Sequence, residues 1–178
     1  ATKNQVEQNR TLFLKQAVCD ASGMPTPESA DALIAWYDEH VQAIEREDGS
    51  PDHFYVRSEE APEKGKLVVV ATGPGLWGLI TAFVGFDADG SEIKAVTFSD
   101  HVETPGLGAR IDEPWFKKQF IGKRGPFIAL MPEPQDKTQS TPDSNKFDQI
   151  TGATISSTAV LNIMNLSLDR ARTLAATP

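Results

Sequence analysis

The sequence predicts an α+β domain in which two N-terminal helices precede an antiparallel β-sheet and a further helix closes the chain. Apolar residues recur at helical spacing near both ends, whereas the middle consists of short β-rich segments separated by turn residues. The 178 residues, 39% of them hydrophobic and 24% charged, are enough to bury a core. We therefore expect a single domain over residues 1–178, with helices within 1–50 and a core within 54–174.

Both N-terminal helices are predicted from local patterns. Residues 1–20 form the first, and the second is expected to start with Thr26 as its cap and Pro27 at its first helical position. The second helix carries the clearest apolar stripe in the chain, formed by Ala30, Leu33, Ile34, Tyr37, Val41 and Ile44. The turn residues 48–51 are expected to end it.

The middle of the chain predicts an antiparallel sheet. Phe54–Arg57 and Lys66–Thr72 are strand candidates. Trp77–Phe86 is almost continuously apolar, which is typical of a strand buried on both faces. A hairpin turn is expected at Asp87–Gly90, with Glu92–Phe98 returning as the partner strand.

Shorter elements are predicted before the closing helix. A short helix is expected to begin at Glu113-Pro114-Trp115 and to reach Phe120, and a strand is expected at Phe127–Met131. Residues 132–146 are rich in proline and polar residues, which predicts an exposed loop. Asp148–Thr151 is a further short strand candidate.

The closing helix is predicted over 155–174 and follows a polar turn that contains a glycine. Its apolar stripe consists of Ile155, Ala159, Val160, Ile163, Met164 and Leu168. Thr154 is therefore expected at the N-cap, with Ser156 and Ser157 in the first turn. A helix N-terminus carries unpaired N–H groups and about +0.5 of an elementary charge, so it can bind a phosphate. From these residues alone, a capped helix without a ligand is the alternative.

Two further loops have unusual backbone chemistry. In Glu103-Thr104-Pro105-Gly106-Leu107-Gly108 the proline fixes φ and the glycines permit tight turns, so N–H and C=O groups can line the edge of a flat ring. A structural Pro-Gly turn is the alternative. Gly75-Leu76-Trp77 lies before the apolar strand, where Leu76 and Trp77 are either a core pair or the cover of a bound ring.

These segments resemble one family when they are taken together and in order. Gly73-Pro74-Gly75-Leu76-Trp77, Glu103–Gly108 and Thr151-Gly152-Ala153-Thr154 are similar to the flavin-binding domain of the G subunit of Rnf complexes. The C subunit of the sodium-translocating NADH:quinone oxidoreductase belongs to the same family. The resemblance runs from about Gly73 to Leu166. It implies FMN held covalently, through a phosphoester bond, on the last threonine of the Ser/Thr-Gly-Ala-Thr motif, here Thr154.

The resemblance also implies the other flavin-binding residues. They are Gly75, Leu76, Trp77, Glu103, Thr104, Pro105, Gly106, Leu107, Gly108, Thr151, Gly152, Ala153, Ser156 and Ser157. Thr104 and the Leu107 backbone are expected at the ring edge. Glu103 is expected either to accept from a ribityl hydroxyl or to fix its loop. Ser156 and Ser157 are expected to donate to phosphate oxygens.

Composition excludes several other classes of function. The net charge of −8 disfavours nucleic acid and anionic membrane surfaces as direct partners. The single cysteine, Cys19, excludes an intrachain disulfide and a cysteine-ligated iron–sulfur cluster. His101 and Glu103 lack a third ligand at metal spacing, so we predict no metal site. No nucleophile–base motif is present, so any redox chemistry would be the flavin's.

The family implies a role in a larger assembly rather than that of a stand-alone enzyme. We expect an electron-transfer subunit of a membrane ion-translocating oxidoreductase, with the other subunits and a flavin transferase as partners. No apolar stretch approaches the roughly 20 residues that span a bilayer. Family members have an N-terminal transmembrane helix at this point, so the resemblance implies a periplasmic, extracytoplasmic domain whose N-terminal membrane anchor precedes Ala1 and is absent from this chain. The alternatives are a free-standing extracytoplasmic FMN domain that feeds a reductase or cytochrome, and a binding domain without flavin.

Overall fold

The computed structural model describes residues 3–58, 61–136 and 145–176 and confirms the predicted α+β class. Its helices are α1 (Lys3–Ser22), α2 (Ala30–His40), a 3₁₀ helix (Gly108–Asp112), α3 (Pro114–Lys118) and α4 (Thr154–Ala176). Its strands are β1 (Val41–Glu45), β2 (Pro51–Ser58), β3 (Ala61–Pro74), β4 (Leu79–Phe86), β5 (Ile93–Asp100), β6 (Ala129–Met131) and β7 (Lys146–Asp148). None of the helices in the described ranges combines the length and the apolar character that crossing a membrane requires.

Strands β1 to β5 form one antiparallel meander in sequence order, with a helix on each face. Alternation along β3 shows why both faces are apolar. Leu67 and Val69 point into the core that α4 covers, whereas Val68 and Val70 point into the core that α1 covers. The sheet is therefore the middle layer of three. The buried strand predicted over Trp77–Phe86 corresponds to β4, which begins two residues later, at Leu79.

The second helix begins later and ends earlier than predicted. Its N-cap is Ser29, whose Oγ accepts a hydrogen bond from the N–H of Ala32 at 3.2 Å. Thr26 instead donates to Asp20, 3.1 Å away, and caps no helix. The chain leaves the helix after His40 because the next five residues, which continue the apolar stripe, pair with β2 as edge strand β1.

Beyond the sheet, a cluster of four buried aromatic rings supports the β6–β7 pair. Phe116, Phe120, Phe127 and Phe147 meet edge to face, with centroid separations from 4.8 to 5.9 Å. Strands β6 and β7 are parallel. The strand predicted at Asp148–Thr151 is therefore wrong in its bounds, since pairing ends at Asp148. Most of the loop predicted at 132–146 lies outside the described residues.

Candidate functional site

One buried carboxylate joins the three predicted motifs. Glu103, only 5% exposed, lies in the loop that follows β5. Its Oε1 accepts hydrogen bonds from the backbone N–H groups of Leu76 at 2.8 Å and Trp77 at 3.3 Å, in the loop between β3 and β4. Its Oε2 accepts from the hydroxyl of Ser156, in the first turn of α4. Segments far apart in sequence are thus held at one point.

Two glycines make room for this carboxylate. A Cβ on Gly75 would overlap the Oε1 atom of Glu103. A Cβ on Gly108 would lie 2.5 Å from both Glu103 Oε2 and Ser156 Oγ. Both glycines are therefore required by close packing around the side chain of Glu103. Of the two roles expected for Glu103, its contacts support the one in which it fixes the loop.

The Glu103–Gly108 loop is held by its own hydrogen bonds and by Trp77. The carbonyl oxygen of Thr104 accepts from the N–H groups of Leu107 and Ala109, each at 3.1 Å. The carbonyl of Leu107 accepts from the N–H of Arg110 at 3.0 Å, so the N–H and the C=O of Leu107 both form hydrogen bonds within the protein. The Trp77 indole N–H donates to Thr104 Oγ1 at 2.9 Å, while 68% of the residue stays exposed. Pro105 and Gly106 form the exposed tip.

The turn before α4 presents Thr154 to solvent. The N–H of Ala153 donates to the carbonyl of Ile150 at 3.0 Å, and Gly152 has φ +75°, as in a type II turn. The carbonyl of Ala153 then accepts from Ser157 N at 3.0 Å, which is the first hydrogen bond of the helix. Ala153 therefore occupies the cap position predicted for Thr154. Thr154 is instead the first helical residue, and it is exposed.

The two serines of the first turn face the interior. Ser156 donates its hydroxyl to Glu103. Ser157 Oγ donates to the carbonyl of Ala153 at 2.9 Å and accepts from the N–H of Ile150 at 3.1 Å. Both serines are buried, and their hydroxyl protons are engaged inside the protein. Their observed contacts tie the turn to the core.

Exposed apolar residues lie in the three motifs or next to them along the chain. They are Leu76, Trp77, Leu79, Val102, Leu107 and Ile155. Leu107 lies beside the turn that precedes α4, since its Cδ2 is 3.1 Å from the place a Cβ on Gly152 would take. Clustered large apolar side chains on a protein surface are typical of a binding site. Here they offer a flat ring an apolar contact next to Thr154.

An acidic and a basic residue that the sequence did not single out complete the site. Glu133, in the segment after β6, accepts a hydrogen bond from the N–H of Thr151 at 2.6 Å through Oε2. The Arg110 guanidinium donates to the same carboxylate, at 2.6 Å to Oε1 and 3.1 Å to Oε2. Hydrogen bonds from Arg110 to Glu133 and then Glu113 raise the pKa of Arg110 above its ordinary value. Both residues lie outside the three motifs, so no local pattern identifies them.

His101 precedes this loop and contacts a carboxylate of the 3₁₀ helix. Its Nε2 lies 2.8 Å from the Oδ2 atom of Asp112, in the 3₁₀ helix. Within the described ranges, no three histidine, cysteine or acidic side chains are grouped so that they could hold a metal ion. His101 therefore helps to close the loop that contains Glu103.

Relatives of this chain carry the names of subunits of one complex. The C subunit of the Na(+)-translocating NADH-quinone reductase from Yersinia pestis is 33% identical over 134 residues, which cover 72% of this chain and 48% of that protein. The corresponding subunit from Pasteurella multocida is 28% identical over 150 residues, covering 80% of this chain and 54% of that protein. The chain thus spans about half the length of these curated relatives.

Solved structures share the fold. A crystal structure of the C subunit of that reductase from Parabacteroides distasonis superposes with a TM-score of 0.74 at 22% identity, covering 100% of this chain and 98% of that one. NqrC from Shewanella oneidensis gives a TM-score of 0.71 at 17% identity, covering 90% and 96%. The FMN-binding domain family matches residues 75–169, a range that is more than half of the chain. It includes two of the three motifs whole and the Gly75-Leu76-Trp77 part of the first. The chain therefore belongs to the FMN-binding domain family.

Proposed function

We propose that this chain is the FMN-carrying electron-transfer subunit of a membrane ion-translocating oxidoreductase, with FMN bound to Thr154 through a phosphoester bond. The observation that carries the proposal is the convergence of the three motifs on Glu103, beside an exposed Thr154. The names of the curated relatives support it, since they describe the C subunit of a Na(+)-translocating NADH-quinone reductase.

The residues present fit a covalently held FMN. Thr154 is exposed at the start of a 23-residue helix, where backbone N–H groups of the first turn can bind a phosphate. Gly152 has no side chain to obstruct the phosphate. Leu76, Trp77 and Leu107 can cover one part of the isoalloxazine ring and exclude water from it. The hydrogen bond from Trp77 to Thr104 holds that cover in place before any ring binds.

Attachment is a phosphoryl transfer to the Thr154 hydroxyl. The hydroxyl oxygen forms a bond to the phosphorus of a flavin nucleotide activated as a phosphoanhydride. The bond to the leaving nucleotide breaks, and the hydroxyl proton passes to a base. We propose that a separate flavin transferase supplies that base and the activated donor, so this chain has only to present Thr154. Bound FMN accepts one or two electrons and so connects one-electron and two-electron carriers.

The proposed setting follows from this role. We place the domain on the periplasmic face of the membrane, with the other subunits of the complex as electron donor and acceptor. Apolar side chains that stay exposed around the flavin would let a neighbouring subunit approach the ring closely.

Intact-mass measurement tests the attachment. The chain is coexpressed with a flavin transferase, beside Thr154→Ala and Thr158→Ala variants; Thr158 is the matched control because it is an exposed threonine of the same helix that lies outside the motif. We expect the wild type and Thr158→Ala to gain the mass of FMN less one water, and Thr154→Ala to gain nothing. A wild-type chain that keeps its unmodified mass would overturn the covalent assignment. Potentiometric titration of the flavin absorbance then tests electron transfer.

A further inference from the structure

The turn Ile150–Ala153, which we call the attachment turn because Thr154 follows it, is held by a residue outside it, Glu133. In this turn Thr151 occupies the second position, and its N–H takes no part in the hydrogen bond between Ala153 and Ile150 that closes the turn. That N–H donates instead to Glu133, at 2.6 Å. The Glu133 side chain is only 10% exposed, so water competes little for this carboxylate.

Arg110 fixes the carboxylate of Glu133 in turn. The guanidinium approaches Glu133 with two N–H donors, which is the geometry that defines the plane of a carboxylate. Two further donors, on Nε and Nη2, engage Glu113, with Nε 3.1 Å from Oε1. The guanidinium carbon lies 5.8 Å from the centroid of the Trp115 ring. Arg110 is therefore immobilised on both sides. It lies two residues after Gly108, so the pair connects the Glu103–Gly108 loop to the attachment turn.

We propose that Arg110 and Glu133 are positioning residues for flavin attachment. They hold Thr151 so that the turn is formed and Thr154 is presented in one orientation before a transferase binds. This inference rests on the proposed attachment at Thr154. Without the pair, the N–H of Thr151 loses its acceptor; among the described residues, the segment is then held by the hydrogen bond between Ala153 and Ile150, the contacts of Ser157 and the burial of Ala153. The transferase would then meet a mixture of conformations, of which a fraction is competent.

Two measurements on the whole chain test this role. Attachment is followed by intact mass over time, with the transferase and an excess of flavin dinucleotide. Amide hydrogen exchange across residues 148–156 is measured on the protein without flavin. The variants are Glu133→Ala, Glu133→Gln and Arg110→Lys. Glu92→Ala is the matched control, because Glu92 also accepts a hydrogen bond from an arginine, Arg124 at 3.1 Å, but lies just before strand β5, away from the attachment turn.

A hydrogen bond to a charged acceptor corresponds to about a tenfold to hundredfold change in an equilibrium constant. We therefore expect Glu133→Ala to raise the rate of hydrogen exchange at the Thr151 amide by about tenfold or more. We expect the rate of flavin attachment to fall by a similar factor. Glu133→Gln and Arg110→Lys should lie between Glu133→Ala and the wild type, and Glu92→Ala should match the wild type. Should Glu133→Ala fail to fold, Glu133→Gln and Arg110→Lys decide the question.

The outcomes separate this inference from the proposed function. Faster exchange at Thr151 with attachment at the wild-type rate would overturn the positioning role and leave Thr154 as the attachment site. Unchanged exchange in every variant would also overturn it, since the pair would not be holding the turn. A wild-type chain that takes up no flavin would instead refute the proposed function.

Discussion

Replacing Glu103 with alanine removes the acceptor that three donors share. The Ser156 hydroxyl would be left buried, while the N–H groups of Leu76 and Trp77 belong to exposed residues and can turn to water. Hydrogen bonds to a charged group each contribute about 1.5–3 kcal/mol, and water recovers part of two of them, so we expect a loss of about 2–4 kcal/mol in the free energy of unfolding. For a chain of this length that is a fall in Tm of about 5–15 °C.

The assay is urea and thermal denaturation of the flavin-free protein at neutral pH, followed by circular dichroism. Glu103→Gln keeps the size and one acceptor oxygen, so it should lose about half as much. Glu92→Ala breaks contacts of a surface carboxylate with Lys94 and Arg124, which water screens, so it should change stability much less than Glu103→Ala. If Glu103→Ala is no less stable than Glu92→Ala without flavin, but holds FMN poorly, Glu103 is a flavin ligand and the reasoning here is refuted.

Other consequences are accessible to simple measurements. Gly108→Ala places a Cβ 2.5 Å from Ser156 Oγ, so it should lower the unfolding free energy by about 1–3 kcal/mol, as in overpacked cores, in the same urea assay. For Asp52, burial is the largest single effect and raises the pKa. The hydrogen bonds that Asp52 accepts, above all the one from Arg170, together with the nearby positive charges outweigh burial, so the pKa of Asp52 lies below its ordinary value. Its contribution to stability is therefore full above the unfolded pKa of about 3.9 and is lost as pH falls through the folded pKa, so Asp52→Asn should flatten the dependence of urea midpoints between pH 5 and about pH 3. Burial raises the pKa of the Cys19 thiol to about 11, so iodoacetamide at pH 8 should label the protein only after urea unfolds it; rapid labelling of the folded chain would contradict this burial.

Elements with local signals could be predicted from the sequence. Strand β4, the hairpin turn that follows it and helix α4 each carry their own periodicity or turn residues. The end of α2 could not be predicted, because Val41 and Ile44 continue the helical period although they belong to a strand. The outcome depends on pairing across the sheet, where Val41 stands opposite Val56, and a local pattern does not show that partner.

The candidate site divides in the same way. Its glycine and threonine motifs are local, so the three segments could be found before the structure. Glu133 lies in a loop without a motif and contacts Arg110, 23 residues earlier, only through the tertiary fold. The first turn of α4 shows a second limit, because its sequence does not tell which hydroxyls face inward. Ser156 and Ser157 do, and Thr154 does not.

The hydrogen bonds of Glu103 also bear on the order of folding. They reach 27 residues back along the chain to Leu76 and 53 residues forward to Ser156. Contacts at such separations form late, because the entropy of closing long loops must be overcome before they contribute. The attachment turn would therefore reach its final form only after the closing helix has docked on the sheet. A transferase that recognises this form would modify folded domains and would not modify nascent chains, so the presence of bound flavin would mark chains that have folded.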